Sequence, residues 1–364
     1  MKYLVPDYYP GFACKCGDCR STCCHGWAVT ISKQEYQSLG ALECSPEFRA
    51  KLDRAVNVWP GGKESSFGFM VHDREENCLL LREDGLCDLH RTIGEHVLPS
   101  VCRLYPRNPR KLAGKNELAC SASCEGVTEK LMEGTAPLGF VEMEIGEEPK
   151  FRVDLRDGQY ERCQKALGIM AREGLSLSER FAELGRELFD ISCEAGESLA
   201  VLRMLHAAMR QFAGKNRVAG TLGIAALEYY GDLRPHQSIS DEQAEEMLRR
   251  YRAGQARLRE ILPSWDVQLL RLLQNHMFYN NFPHVGGSDD GLKALWGLSF
   301  AAAYVSFMLV GCTPLWNNET QAVDVLSPVF RLIEHSDFKY RVVRTYREMS
   351  DGPGNWLQLV AFCE

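Results

Sequence analysis

Cysteine spacing is the feature that most constrains this chain. Eleven of its fifteen cysteines lie in the first 124 of 364 residues, and five of these fall in the eleven-residue stretch from Cys14 to Cys24. Thiolates this close together are ligands that zinc ions and iron–sulfur clusters take from proteins. The stretch therefore predicts a segment of short helices and strands in which a metal centre replaces part of the apolar core.

The chemistry of these thiols depends on the compartment. The N-terminus, from Met1 to Pro10, lacks the long apolar core and the cleavage site of a secretory signal. We therefore expect a reducing, cytoplasmic environment, where a dense cysteine cluster indicates metal binding more than disulfides. Redox chemistry and simple packing of buried thiols are the alternatives. A net charge of −7 argues against nucleic acid as a partner, because such a partner requires a basic face.

The chain divides into three predicted parts. Residues 1–135 are rich in cysteine and punctuated by Gly, Pro and Asp. Residues 136–156 alternate apolar and polar positions around a turn near Gly146–Pro149, which predicts a β-hairpin connector. Residues 157–364 repeat apolar residues at three- and four-residue steps, which predicts helices. The predicted fold class is mainly α: a small cysteine-rich α+β region that binds a metal or cluster, followed by an all-α helical domain.

Local signals place several individual elements. Capping boxes predict helix starts at Ser32–Glu35, Ser176–Glu179 and Ser240–Gln243. Phe67–Val71 is predicted as a strand, and 92–98 as a short helix that a proline ends.

One apolar segment bears on whether the chain is soluble. Ala294–Cys312 has no charged residue in 19 positions, close to the roughly 20 apolar residues that a membrane span needs. The segment is rich in Ala, Ser and Gly and has no basic residues directly after it. We therefore expect the buried central helix of the helical domain and no membrane span, with a membrane segment as the alternative.

Further cysteines are spaced so that they would complete a site with the opening run. Cys78 and Cys87 flank a predicted hairpin, so their thiols should lie near each other, and His90 follows as a ligand or as a donor to a sulfur. A tetrahedral zinc takes four ligands, so a larger set implies two sites or other tasks for some thiols. On a strand, Cys23 and Cys24 would point to opposite faces and would not hold one metal in the same way. The candidate metal ligands are Cys14, Cys19, Cys23, Cys24, Cys78, Cys87, Cys102, Cys120 and Cys124.

The order of these residues resembles that of the CxxCxxCC-type zinc- or iron-chelating proteins and, more closely, the bacterial flagellin lysine-N-methylases. The motifs that carry the resemblance are Phe12-Ala-Cys14, Cys19-x₃-Cys23-Cys24-x₂-Trp27, Cys78-x₈-Cys87-x₂-His90, Cys102-Arg-Leu-Tyr-Pro-Arg107 and the pair Cys120 and Cys124. They cover the N-terminal third, and the aromatic segment 275–283 extends the resemblance more loosely. Cys16 is an additional thiol beside Cys14, which leaves open which of the two is the ligand.

The resemblance implies an activity. It implies methyl transfer from S-adenosylmethionine to lysine side chains of flagellin, with an iron–sulfur cluster of the 4Fe–4S type, or alternatively zinc, held by the N-terminal cysteines. The sequence shows no glycine-rich loop of a Rossmann-type methyltransferase, so the methyl donor is not assigned to residues. The large helical region favours this enzyme over a non-catalytic metal-binding module with a structural or metal-sensing role.

Lysine methylation requires a neutral amine in a channel that excludes water. Tyr105 and Tyr279 are the candidate catalytic residues for such a channel, and packing in the core is the alternative for Tyr279. Arg103 and Arg107 flank Tyr105 beside the candidate ligand Cys102. We predict that they bind the cofactor, because guanidinium groups stabilise the negative charge of a thiolate-ligated cluster. A structural salt bridge is the alternative for both arginines.

Overall fold

The protein is mainly α-helical, as predicted. A computed structural model describes residues 1–146, 148–153, 155–156, 158–193, 199–232, 239–285, 290–316, 320–349 and 356–364. The strands in these residues are β1 Lys2–Pro6, β2 Thr30–Ile31, β3 Val56–Lys63, β4 Ser66–Met70, β5 Arg107–Leu112, β6 Lys115–Cys120, β7 Phe140–Glu144 and β8 Phe151–Val153. The α-helices of the N-terminal region are α1 Lys33–Gly40, α2 Pro46–Ala55, α3 Asp88–Thr92, α4 Ser100–Leu104 and α5 Glu125–Met132. Those that follow are α6 Gln159–Met170, α7 Leu177–Phe189, α8 Leu199–Ala213, α9 Arg217–Tyr229, α10 Asp241–Ile261, α11 Trp265–Asn280, α12 Gly291–Cys312, α13 Gln321–His335, α14 Phe338–Met349 and α15 Trp356–Val360.

A five-stranded sheet connects the N-terminal region to the helices. Its strand order is β7-β1-β6-β5-β8, in which β1 runs antiparallel to β7 and β8 runs parallel to β5. Both strands predicted within 136–156 are therefore present, but the hairpin between them is wrong, because they occupy opposite edges of this sheet. Each edge offers free backbone N–H and C=O groups that a strand satisfies. Residue 147, within the predicted turn, lies outside the described residues.

A second, three-stranded antiparallel sheet has the order β2-β4-β3. Strand β4 agrees with the predicted strand over 67–71. The capping box that begins α1 is also confirmed: the Glu35 amide donates to Ser32 Oγ at 3.2 Å, and the Ser32 amide donates to the Glu35 carboxylate at 2.7 Å. The capping boxes that begin α7 and α10 are confirmed as well.

The predicted helix over 92–98 is wrong in its bounds. Helix α3 already ends at Thr92, and a separate 3-10 turn covers Glu95–Val97. Between them Gly94 has a φ of 130°, a conformation that interrupts a helix and that glycine adopts without steric strain.

Helix α12 is the centre of the helical region. It contacts α7 to α11 and α13 to α15. In the described residues, Gly291–Leu315 is the one helical stretch long and apolar enough to cross a membrane, and its apolar window is wholly buried inside the protein. The segment predicted as a central helix therefore has protein on all sides.

Two apolar cores hold the molecule together. The large core combines the sheet residues Tyr3 and Leu118 with the helices that surround α12. The small core consists of Val29, Ile31, Leu39, Phe48, Leu52, Ala55, Met70, Leu80 and Leu89, and four half-buried cysteines pack against it: Cys44, Cys78, Cys87 and Cys102. Because the large core draws on β1 and β6 as well as on the helices, the domain boundaries near 135 and 157 stay a prediction.

Candidate metal centre and adjoining polar network

A cavity of about 420 Å³ lies among the cysteine segments. Seven thiols line it: Cys14, Cys16, Cys23, Cys24, Cys78, Cys87 and Cys102. His90, Arg103, Tyr105 and Arg107 are also in its wall. All fifteen cysteines are free thiols. Folding of the first 107 residues thus brings most of the predicted site residues to one place, which we call the thiol cavity.

Two glycines allow the segments of the thiol cavity to meet. A Cβ atom on Gly17 would lie 2.4 Å from the Asp84 carbonyl oxygen, and one on Gly85 would lie 2.6 Å from the Gly17 carbonyl oxygen. Real side chains do not tolerate such distances, so only glycine lets these two backbones touch. Asp84 and Gly85 belong to the predicted turn between Cys78 and Cys87. Leu81 and Cys87 form an isolated antiparallel β-bridge next to this turn. Cys78 and Cys87 both line the thiol cavity, which agrees with the prediction that their thiols lie near each other.

Charged side chains fix the opening cysteine loop, residues 14–24, onto helix α5. Lys15 Nζ contacts Glu125 at 2.5 Å and Glu129 at 2.8 Å. The Ser21 amide donates to the other Glu125 oxygen at 2.7 Å, and the Glu125 side chain is fully buried. A buried carboxylate is stable only when paired in this way. Glu125 thus orients the loop toward the thiol cavity.

Cys23 and Cys24 lie in a turn and not on a strand, so the expectation that they point to opposite faces is wrong. Both thiols line the cavity. A hydrogen bond from the Cys24 thiol lowers the pKa of Cys23 to about 7, and the guanidinium of Arg331 acts in the same direction. The same hydrogen bond raises the pKa of Cys24, and burial adds to that rise. Cys23 is therefore the thiol of the pair that is poised to be a thiolate at neutral pH.

The charge of Cys23 acts on two groups of thiols. The first group packs against the small core and comprises Cys78, Cys87 and Cys102. The second group lies toward α5 and comprises Cys14, Cys19 and Cys124. Burial raises the pKa of every thiol in both groups, and a negative charge on Cys23 raises each one further. Cys23 is therefore the thiol whose charge acts on both groups.

The donor set of the thiol cavity is rich in sulfur, the kind of ligand that zinc and iron–sulfur centres take from proteins. Among the described residues, no three His, Cys, Asp or Glu side chains come together closely enough to hold a single metal ion. The thiols instead surround the cavity. Arg103 Nε is buried and has no hydrogen-bond partner in the part of the chain that the structure describes. A thiolate-ligated centre in the cavity would place negative charge beside this cation.

Three predicted ligands and one predicted catalytic residue lie outside the cavity wall. Cys19 and Cys124 belong to the second thiol group, and Cys124 is the N-cap residue of α5. Cys120 is fully buried in the large core. Tyr279 contacts the ring of His335 at 6.3 Å between centroids. Their roles stay predictions.

A polar network with two buried serines adjoins the thiol cavity at Tyr105. The Tyr105 hydroxyl lies 2.9 Å from Ser123 Oγ, which lies 2.6 Å from Ser121 Oγ. His335 Nε2 lies 2.9 Å from Ser123 Oγ and 3.1 Å from Ser121 Oγ. The ring of Trp27 covers this point, with centroid distances of 5.2 Å to Tyr105 and 4.8 Å to His335.

Sequence reasoning missed the serines and His335. The two serines stand between Cys120 and Cys124, and only the cysteines of this stretch were predicted as site residues. His335 lies 212 residues beyond Ser123, at the end of a helix whose charges are typical of a solvated face. The pair of serines so close to two cysteines was the one available signal.

The fold and this site define a mainly α-helical protein whose N-terminal region gathers many cysteines around one cavity. Residues 15–133 match the family model CxxCxxCC, described as "Putative zinc- or iron-chelating domain". The match confirms the resemblance predicted from the cysteine order. All of the residues that line the thiol cavity, except Tyr9, Phe12 and Cys14, fall inside the matched range.

Three relatives extend the comparison. The chain is similar to a lysine-N-methylase of Salmonella typhimurium, with 24% identity over 141 residues, which are 38% of this chain and 35% of the relative. A lysine-N-methylase of Salmonella choleraesuis shows the same values. The flagellar biosynthetic protein FliU of Salmonella muenchen is 24% identical over 128 residues, which are 35% of this chain and 75% of that protein. The alignment thus spans about a third of the length of the two methylases. No solved structure matches this chain.

Proposed function

We propose that this protein transfers methyl groups from S-adenosylmethionine to lysine side chains of flagellin, in the cytoplasm, and that its thiol cavity holds a 4Fe–4S cluster. The observation that carries the proposal is the thiol cavity itself. It joins seven thiols, two arginines and a catalytic candidate, Tyr105, in one wall. The names of the similar proteins, lysine-N-methylase and a flagellar biosynthetic protein, support the reaction and the substrate.

The geometry supports a cluster over zinc. Zinc–sulfur bonds of about 2.3 Å place the sulfurs of a tetrahedral site about 3.8 Å apart. The thiol cavity, at about 420 Å³, has room for a body larger than a single ion. We assign Cys23, Cys78, Cys87 and Cys102 as its ligands, because they are mutual neighbours on the small-core side. A cluster bound there would supply one-electron redox chemistry.

Protein side chains of the cavity have separate tasks in this proposal. Arg103 and Arg107 balance the negative charge of the thiolates, as predicted from their position beside Cys102. Tyr105 lines the cavity and its hydroxyl lies 2.9 Å from Ser123 Oγ, so it is suited to orient an amine and to accept its proton. The ring of Trp27 packs 5.2 Å from the ring of Tyr105 and limits where that side chain can move.

Incubation with isotopically labelled S-adenosylmethionine and flagellin, read by mass spectrometry, tests the proposal. We expect labelled methyl groups on flagellin lysines. Tyr105→Phe should lower kcat by about 10² or more, the range of general acid–base catalysis. Tyr36→Phe, at an exposed tyrosine on α1, should keep wild-type activity. Metal-loaded wild-type protein that adds no methyl groups would reject the enzyme and leave a non-catalytic metal-binding module.

A further inference from the structure

Three ionisable side chains meet in the interior and have no part in the proposed function so far. Lys339 on α14 is 3% exposed. The side chains of His276 on α11 and Glu334 on α13 are 4% and 0% exposed. Burial of charged groups destabilises a fold unless they are paired and hydrogen-bonded. Apolar side chains would fill this position at a smaller free-energy cost, so the set calls for a functional explanation.

The three side chains form one hydrogen-bonded row. Lys339 Nζ donates to His276 Nε2 at 2.8 Å, so the imidazole carries its proton on Nδ1. His276 Nδ1 then donates to Glu334 Oε1 at 2.9 Å. Burial lowers the pKa of His276 to about 4, and this keeps the imidazole neutral. A lysine ammonium and a glutamate carboxylate therefore balance each other's charge through a neutral histidine.

The row continues from Glu334 to the wall of the thiol cavity. The Ser121 hydroxyl donates to Glu334 Oε2 at 2.5 Å. Because this donation uses the Ser121 proton, the Ser123 hydroxyl donates to Ser121 at 2.6 Å, and the Tyr105 hydroxyl donates to Ser123 at 2.9 Å. His335 Nε2 then carries a proton and donates to the serine oxygens. The contacts are thus compatible with a proton arrangement that runs from Tyr105 inward to Glu334.

We propose that this row is a proton relay in which Glu334 takes, through Ser121, Ser123 and Tyr105, the proton of a primary ammonium bound in the thiol cavity. The proposal rests on the proposed function and adds the step that makes the substrate amine neutral. Tyr105 is the catalytic residue that contacts the substrate. Glu334, His276 and Lys339 are positioning residues that act behind it.

The proton balance is complete. The ammonium N–H bond breaks and its proton joins the Tyr105 oxygen, while the Tyr105 proton passes to Ser123. The Ser123 proton passes to Ser121, and the Ser121 proton passes to Glu334, which becomes a neutral carboxylic acid. The amine keeps its electron pair and is then able to accept a methyl group. Lys339 holds His276 in the tautomer that keeps Glu334 aligned with Ser121.

Several charged or titratable groups face Glu334 and set its behaviour with pH. They are His276 from α11, His335 from α13, Lys339 from α14, Tyr279 from the end of α11 and Tyr8 after β1. Burial raises the pKa of Glu334, but the hydrogen bonds from His276 and Ser121 and the charges around it outweigh burial, so its pKa lies below the ordinary value. Glu334 is therefore an ionised acceptor at neutral pH.

Kinetics of Glu334→Gln with flagellin test the relay. The amide keeps the shape of the side chain but does not take up the proton. We expect kcat to fall by about 10²–10⁴ at pH 7, with KM for flagellin unchanged. The loss should shrink toward pH 10, since solvent itself deprotonates a lysine amine near its ordinary pKa of about 10.4. Glu245→Gln, at an exposed position on α10, is the matched control and should keep wild-type values.

Two further variants guard against a purely structural effect. Ser123→Ala interrupts the relay at a smaller side chain and should show the same loss with the same recovery at high pH. The double variant that combines Ser123→Ala with Glu334→Gln should lose no more kcat than either single variant. A loss that is equal at every pH, or wild-type kcat in either variant, would overturn the relay.

Nitrogen NMR of histidine-labelled protein separates this proposal from the proposed function. If the wild-type protein transfers no methyl groups, the proposed function is rejected. The relay is then tested by the protonation sites of its histidines alone. The relay requires His276 protonated on Nδ1 and His335 protonated on Nε2, assigned with His276→Asn and His335→Asn. The opposite tautomer at either histidine breaks the proton row and overturns the relay.

Discussion

At the scale of single residues, one hydrogen bond makes two adjacent cysteines chemically different. The Cys24 thiol donates to Cys23, and Arg331 places a positive charge nearby, so the Cys23 thiolate is favoured although the site is half-buried. Cys19, a few residues earlier, differs, because burial raises its pKa to about 12. Metal ligation requires the thiolate. Cys23 is therefore the thiol that would bind metal first.

Alkylation of metal-free protein with iodoacetamide measures this difference. The thiolate is the reactive form, so reactivity rises with pH through the pKa of each group. We expect the rate at Cys23 to rise with a midpoint near pH 7, whereas Cys19 should react slowly until the pH approaches 12. Peptide mass spectrometry follows both sites in one sample. An ordinary thiol midpoint of about 8.5 at Cys23 would contradict the asymmetry.

At the scale of elements, helix α13 joins the cysteine loop to the polar network. Asp324 contacts Arg20 at 2.7 Å, and Arg331 donates to the His25 carbonyl oxygen at 2.9 Å. One turn later, Glu334 and His335 contact the two serines. These positions fall on one face of the helix, because seven and three or four residues return to the same side. A single helix therefore positions both the thiol cavity and the relay.

Arg331→Met tests this role of α13. Methionine keeps much of the packing but loses the hydrogen bonds to Ser21 and Thr22 of the cysteine loop, the one to His25, and the cation above the Trp27 ring. We expect the free energy of unfolding to fall by about 1.5–3 kcal/mol, the range for hydrogen bonds of charged groups. The alkylation midpoint of Cys23 should rise as well, because the neighbouring cation is gone.

Arg54→Met on the exposed face of α2 is the matched control for this variant. Arg54 hydrogen-bonds only within its own helix among the described residues, to the Ala50 carbonyl oxygen. Chemical denaturation should show wild-type stability for it. Equal stability of the Arg331 and Arg54 variants, with an unchanged Cys23 midpoint, would refute the role of α13.

At the scale of the whole molecule, the elements that neighbouring residues determine were predictable from the sequence. The pairing of distant segments was not. The capping boxes, strand β4 and the buried helix α12 follow from neighbouring residues or from an apolar run, so the sequence predicts them correctly. The strands β7 and β8 also follow from alternation. Their pairing does not, because a strand joins whichever sheet edge is open, and that depends on distant segments.

The candidate site shows the same division. The thiols of the cavity were predictable, because their number and spacing already indicate one chemistry. The proton relay was not, since it combines residues near 121, 276, 334 and 339 that are ordinary in their local contexts. Folding creates their chemistry by burying them together, and burial is a property of the assembled molecule.

Metal analysis of protein purified without oxygen tests the central claim most directly. We predict about four iron and four sulfide per chain, as in one 4Fe–4S cluster held by four cysteines. Cys102→Ser should lose most of this iron, and Cys193→Ser, which changes a half-buried thiol outside the cavity wall, should keep it. Stoichiometric zinc without iron, or full iron content in Cys102→Ser, would contradict the account.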